Sequence, residues 1–159
     1  MVDVYALGRS RGQFEGRVVI AAMKRLVPLL AESDGEIAWQ LLGWTDAQRR
    51  PAATAKVSGA VVVSCERCGL RLEVPIRTES QFWFVQSEEE LNQVPIEVDD
   101  GEPLLGSRQF AVADLIEDEL IRAWPISRRH LRCGYSSERV EEPDRRRPFA
   151  ALARLRSRH

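Results

Sequence analysis

Two short stretches of this 159-residue chain carry residues able to bind a metal, and the two end alike. The first is Cys65-Glu66-Arg67-Cys68-Gly69 and the second is His130-Leu131-Arg132-Cys133-Gly134. A Cys-x-x-Cys spacing lets two thiolates reach one ion, and the glycine that follows suits the tight turn of a zinc knuckle. A structural zinc site takes four nitrogen or sulfur ligands, so Cys65, Cys68, His130 and Cys133 make a complete set. Zinc bound there would staple the second stretch to the first. The plainer alternative is a reduced cysteine pair in a turn, with an unrelated surface histidine and cysteine elsewhere. A redox role is weaker. A reactive Cys-x-x-Cys gains its low pKa from a helix N-terminus, and here extended segments flank the motif.

The remaining candidates are ionic. From Glu79 to Leu120 there are twelve acids against the single base Arg108, whereas from Ile126 to His159 ten arginines face four acids. Such segregation, hidden under a net charge of −1, points to an ionic partner or to a tail that folds back on its own domain. Guanidinium groups bind phosphate in a bidentate fork and stack on unpaired bases. Arg128, Arg129, Arg132, Arg145, Arg146, Arg147, Arg154, Arg156 and Arg158 are therefore candidates for RNA contact, with Phe149, Leu152 and Leu155 as an apolar docking triplet beside them. A solvated, solubilising tail is the competing account of each arginine. The acids from Glu88 to Glu119 suit a different partner, a basic protein. No small-molecule substrate is implied. Neither His130 nor His159 adjoins a serine or cysteine in a nucleophile motif, and no glycine-rich phosphate loop is present, so the residues argue against an enzyme.

Composition bounds the rest. A chain of 18.0 kDa with 44% hydrophobic and 30% charged residues can bury one core without disulfides. No apolar run approaches the roughly 18 residues that span a bilayer, and Met1–Tyr5 shows no basic and apolar leader pattern. Three cysteines suit a reducing compartment, so the expected location is cytoplasmic, with no membrane partner.

The elements that must position these groups follow from periodicity. Ile37, Trp39 and Leu41 alternate with Ala38 and Gln40, a half-buried strand ending near Gly43. The valine-rich run Ala55–Ser64 reads as a second strand. Leu70, Leu72, Val74 and Ile76 alternate with Arg71, Glu73, Pro75 and Arg77, in a phase that persists to Phe82 and Phe84. That is a long antiparallel strand with one wet face, and Pro75 marks an edge or bulge. The Cys65–Cys68 turn joins these two strands. Met23, Leu26, Val27 and Leu30 suggest a helix over Ala21–Glu32, with Pro28 leaving open where it starts. A better specified helix follows, with Asp114 as cap, Glu117 completing a capping box, Leu115, Ile116, Leu120 and Ala123 buried, Asp118 paired with Arg122, and Pro125 ending it after Trp124. Gln86–Gly106 reads as an acidic loop over the sheet. The expectation is one α+β domain over 1–135, with an antiparallel sheet, a central Cys-x-x-Cys hairpin and two helices. Residues 136–159 read as an Arg-rich, partly disordered, mobile tail.

Several of these features resemble, together and in order, the YceD family. Gln13-Phe14-Glu15-Gly16-Arg17 is similar to its N-terminal part, and the Cys65-x-x-Cys68 turn to its central hairpin. Asp114-Leu115-Ile116-Glu117-Asp118-Glu119-Leu120-Ile121 with Ala123-Trp124-Pro125 is similar to its acidic helix. Pro148-Phe149-Ala150 with Leu152, Ala153 and Leu155 is similar to its C-terminal signature. Members often carry further cysteines after the acidic helix, where this chain keeps only Cys133. The resemblance implies a role in synthesis, processing or stability of the large-subunit (23S) ribosomal RNA, in ribosome biogenesis, and implies no reaction. The partner is then that RNA or a precursor particle. In the alternative, an acidic interaction module binds a ribosomal protein or assembly factor and affects the RNA indirectly.

Overall fold

The longest feature of the fold is a pair of strands whose inward faces are aliphatic at one end and aromatic at the other. The computed structural model describes residues 1–95 and 101–133. Strand β3 (Pro51–Ser64) runs antiparallel to β4 (Arg71–Val85), in register from Ala52 opposite Trp83 to Ser64 opposite Arg71. Val57, Val61 and Val63 of β3 and Ile76, Phe82 and Phe84 of β4 are buried in one core. β-Branched and aromatic side chains suit such a pleated, half-buried surface. Between the strands, the Cys65 N–H donates to the Leu70 carbonyl and the Gly69 N–H to the Cys65 carbonyl, both at 2.8 Å. Gly69 has a φ of 72° with open space around its missing side chain, so backbone conformation alone demands glycine there. Leu70 does not join the inward phase: β4 starts after it, and Leu70 is 63% exposed.

Strands β1 (Gln13–Val19), β2 (Glu36–Thr45) and β5 (Glu102–Leu105) complete a five-stranded sheet in the order β1-β2-β3-β4-β5. The first four pair antiparallel, whereas β5 lies parallel to β4, so the sheet is mixed rather than antiparallel. A parallel neighbour needs a crossover connection. The segment expected to be a loop over the sheet accordingly contains a short helix and a strand. Its Leu91 and Val94 pack on Trp83 and Val85 at one end of the outer face. β5 pairs only with Phe82–Val85, so the stretch of β4 around Pro75 has β3 on one side and no described strand on the other. Because the Cys65–Leu70 pair is hydrogen-bonded, the register turns the Pro75 nitrogen away from β3, where a missing donor costs nothing.

Among the described residues three α-helices accompany the sheet: α1 (Val4–Ser10), α2 (Glu88–Asn92) and α3 (Val112–Arg122). The sequence pattern did not announce α1, which is seven residues long. It is capped by the Asp3 carboxylate and lies so close over β2 that a side chain at Gly43 would fall 2.2 Å from the Leu7 carbonyl oxygen. The helix expected over Ala21–Glu32 is instead two single 3₁₀ turns, Ile20–Ala22 and Val27–Leu29. The N–H groups of Arg25 and Leu26 bond the Glu117 carboxylate rather than a carbonyl of their own segment.

Helix α3 forms where the acidic motif predicted it and buries Leu115, Ile116 and Leu120, each worth roughly 1.5–3 kcal/mol of transfer free energy. Its polar details differ. Ala111, not Asp114, is the N-cap and makes no side-chain cap, which leaves Asp114 in the first turn. Asp118 pairs with Arg25 rather than Arg122, and Arg122 reaches Glu102 and Glu119. Glu119, 1% exposed, meets the Ser80 hydroxyl of β4. No described helix is long and apolar enough to cross a membrane.

Candidate metal centre

The hairpin turn and the segment after α3 meet at the end of the β3–β4 pair. The Glu66 N–H donates to the Arg128 carbonyl at 2.8 Å, and the Arg128 guanidinium returns two bonds to Glu66 Oε1, at 2.9 and 3.0 Å. Arg128 also lies 5.6 Å from the ring centre of Trp124, just past the end of α3. This double connection brings His130 and Cys133 onto the turn. The ligand atoms of Cys65, Cys68, His130 and Cys133 all lie within 4.8 Å of one another, with Cys65 buried and the other three half-buried.

The geometry fits a tetrahedral ion. A tetrahedron with bonds of about 2.3 Å has edges of about 3.8 Å. Cys65 Sγ stands 3.7 Å from Cys133 Sγ, and Cys68 Sγ stands 3.5 Å from His130 Nδ1. The other imidazole nitrogen, Nε2, lies 3.0 Å from the Arg71 carbonyl, an acceptor only. Nε2 therefore carries the proton, and Nδ1 offers its lone pair to the cluster. Metal-binding histidines are held in this way. The acceptor is a backbone group, so no residue type in the sequence could have announced it.

The electrostatics favour a thiolate at the centre. Burial pushes the Cys65 thiol up, but the N–H groups of His130, Cys68 and Arg67, with help from the Cys68 thiol, pull it down to about 5. Cys133 moves the other way, raised by burial and by bonding to Cys65 and Cys68 and their negative charge. Three thiols and an imidazole share one small volume in which only an external cation can neutralise more than one thiolate.

The arginines divide. Arg128 is spent on Glu66, and its neighbour Arg129 reaches the same carboxylate only at 3.9 Å and is largely exposed. Arg132 is exposed beside the cluster and forms no described ion pair. Arg145, Arg146, Arg147, Arg154, Arg156 and Arg158, with Phe149, Leu152 and Leu155, lie outside the described residues. Residue-by-residue reading missed exposed apolar groups that lie close to the cluster residues along the chain. Ile126 and Leu131 are fully exposed, and Leu70 projects from the hairpin turn. Their signal was positional, since Leu70 follows the turn glycine and Leu131 lies between His130 and Cys133 in the second stretch.

The profile of a family described as large ribosomal RNA subunit accumulation protein YceD matches residues 53–156. The chain belongs to the YceD family. The matched span opens in β3 and includes all four residues of the cluster, α3 and the arginine-rich end of the chain, whereas Gln13–Arg17 lies before it. No curated protein and no solved structure matches this YceD-family chain. The family description ties it to accumulation of the large ribosomal RNA and names an accumulation factor rather than a reaction.

Proposed function

We propose that this YceD-family protein is a non-enzymatic, cytoplasmic factor in the synthesis, processing or stability of 23S ribosomal RNA during ribosome biogenesis. It contacts the RNA directly with the segment that the four-residue cluster holds against the hairpin. The convergence of Cys65, Cys68, His130 and Cys133 carries this reading. Zinc is the ion whose preferred donors these are. With every coordination position taken by protein, it would cross-link the chain and perform no catalysis. Exposed Arg67, Arg129 and Arg132, and exposed Leu70, Ile126 and Leu131, all lie within four positions of a cluster residue along the chain. That combination of phosphate-binding forks and apolar surface suits an unpaired stretch of RNA better than a regular duplex. The arginines from Arg145 onward would extend the electrostatic footprint, and Phe149, Leu152 and Leu155 would dock in a groove of the precursor particle.

The alternative, an acidic module for a ribosomal protein or assembly factor, is less well supported. Glu102, Glu117, Asp118 and Glu119 are already engaged by Arg25, Arg122 and Ser80. That leaves few free acids on α3 for a basic partner. Crosslinking the tagged full-length protein in cells separates the readings. Large-subunit RNA should be recovered, and Arg129→Glu with Arg132→Glu should reduce that recovery. Ribosomal protein alone, with RNA absent, would favour the acidic module.

A further inference from the structure

Strand β1 forms one edge of the sheet, and no described strand pairs with its outer side. An uncovered edge of seven residues presents a row of free backbone donors and acceptors, which invites pairing with another chain. Which groups are free follows from the register. The Gly43 N–H donates to the Gly12 carbonyl and the Ile20 N–H to the Gly35 carbonyl, so the even-numbered residues of β1 bond β2. The N–H and C=O groups of Gln13, Glu15, Arg17 and Val19 therefore point outward.

The side chains along this edge are complementary to themselves. We propose that β1 is a homodimerisation strand: the β1 edges of two copies of this chain pair antiparallel about a two-fold axis at Gly16. Glu15 of each copy then stands opposite Arg17 of the second copy. In that register Glu15 faces Arg17 and Gln13 faces Val19, and both are pairs whose outward backbone groups exchange hydrogen bonds. Phe14 faces Val18 on the core side, and the two Gly16 residues meet on the axis. Sliding by two residues in either direction puts Arg17 opposite Arg17 or Glu15 opposite Glu15. Sliding by one residue breaks the hydrogen-bond alternation. Charge and backbone thus select one register.

The core-side surface at this edge also calls for cover. Phe14, opposite the buried Leu41, is 46% exposed although it belongs to the sheet. The Trp39 indole lies over Gly16, within 2.9 Å of where a side chain would start, so glycine there lets an aromatic ring reach the edge. Beside it opens a groove of about 410 Å³, lined largely by apolar groups of Met1, Val2, Val18, Trp39 and Val112. Phe14 of the second copy, opposite Val18, would stand at its mouth. Strand β1 lies outside the residues matched to the YceD family, so the inference rests on this chain's own residues.

Sedimentation of the full-length protein over a range of concentrations tests the proposal. A dimer is expected. Glu15→Arg or Arg17→Glu alone turns both facing pairs into like charges and should weaken the dimer at least about tenfold. The double variant Glu15→Arg/Arg17→Glu restores opposite charges and should bring the affinity back. Both side chains are exposed, so each variant should fold. Hydrogen exchange supplies an independent readout: the Glu15 and Arg17 amides should be protected at concentrations that favour the dimer and unprotected on dilution. A monomer at every concentration, a dimer indifferent to the single reversals, or a double variant that stays dissociated would overturn it. Amides protected independently of concentration would show that the chain covers its own edge, with the same consequence.

Discussion

Two corners of the molecule do the same mechanical task with opposite chemistry. At one, Glu117 of α3 holds the 3₁₀ segment by accepting from the Arg25 N–H at 2.6 Å, the Leu26 N–H at 3.0 Å and Arg25 Nε at 3.1 Å. At the other, the Cys/His cluster lies where Glu66 and Arg128 join the post-α3 segment to the β3–β4 turn. The first corner is closed within the chain, since a buried anion meets donors supplied by protein. The second gathers electron-pair donors around a space that no described cationic side chain fills. A polar cluster that satisfies itself explains itself structurally, whereas donors that converge on one another call for an external cation.

Metal removal should separate the two corners most visibly. Protein purified without chelator should carry about one zinc per chain. A strong chelator should then cost about 4 kcal/mol of stability, the value for a ligand held about 1,000-fold above its dissociation constant. Cys68→Ser should abolish zinc retention while far-ultraviolet dichroism still reports the sheet. Denaturant curves unchanged by chelation, with no zinc by elemental analysis, would place both corners in the self-satisfied class.

At the other corner, Glu117→Ala should cost about 2 kcal/mol, because it strands the buried Leu26 N–H and the part-buried Arg25 N–H, while the exposed Arg25 guanidinium keeps Asp118. Its zinc content should not change. Losing zinc in this variant would show that the two corners are coupled rather than independent.

Acid separates the corners with a smaller effect. Burial pushes the Glu117 carboxyl up, but the N–H groups of Leu26 and Arg25 and the Arg25 guanidinium outweigh it, so its pKa is depressed. A group lowered on folding contributes stability in full above its unfolded pKa, about 4.3, and loses it as pH falls through the folded value. Glu117→Gln should therefore flatten the stability–pH curve below about pH 4.3. Zinc release should remain acid-driven in this variant, because protons compete with the metal for thiolate and imidazole.

The smallest effect discriminates among arginines. Arg132→Ala should flatten the slope of log RNA affinity against log salt by about 0.7 to 0.9 if that side chain touches phosphate. Arg128→Ala should change the slope less and instead loosen the cluster, since Glu66 already holds this guanidinium. Equal slopes for the two variants would mean that the Glu66 pair opens on RNA.

Where the sequence spoke clearly, a repeating physical constraint was at work. Alternation from Leu72 to Phe84 is legible because a strand with one buried face has period two, and α3 because Leu115, Ile116 and Leu120 follow a helical stripe. The Met23–Leu30 stripe misled for the same reason. Met23 and Leu26 are buried, but the N–H groups of Arg25 and Leu26 are captured by a carboxylate 91 or more positions away in the chain. Strand β5 was invisible because its four residues carry no period of their own and gain strand geometry only by pairing with Phe82–Val85.

The candidate site divides along the same line. Residue type and spacing alone determined which four groups could ligate one ion, because thiolate and imidazole chemistry is a property of the side chain. Their convergence was decided by contacts between distant parts of the chain: the β3–β4 register that sets the turn, the Glu66–Arg128 connection, and the Arg71 carbonyl that orients His130. Local sequence encodes chemistry and period. Which loop meets which turn depends on backbone hydrogen bonds and ion pairs that exist only once the sheet has formed.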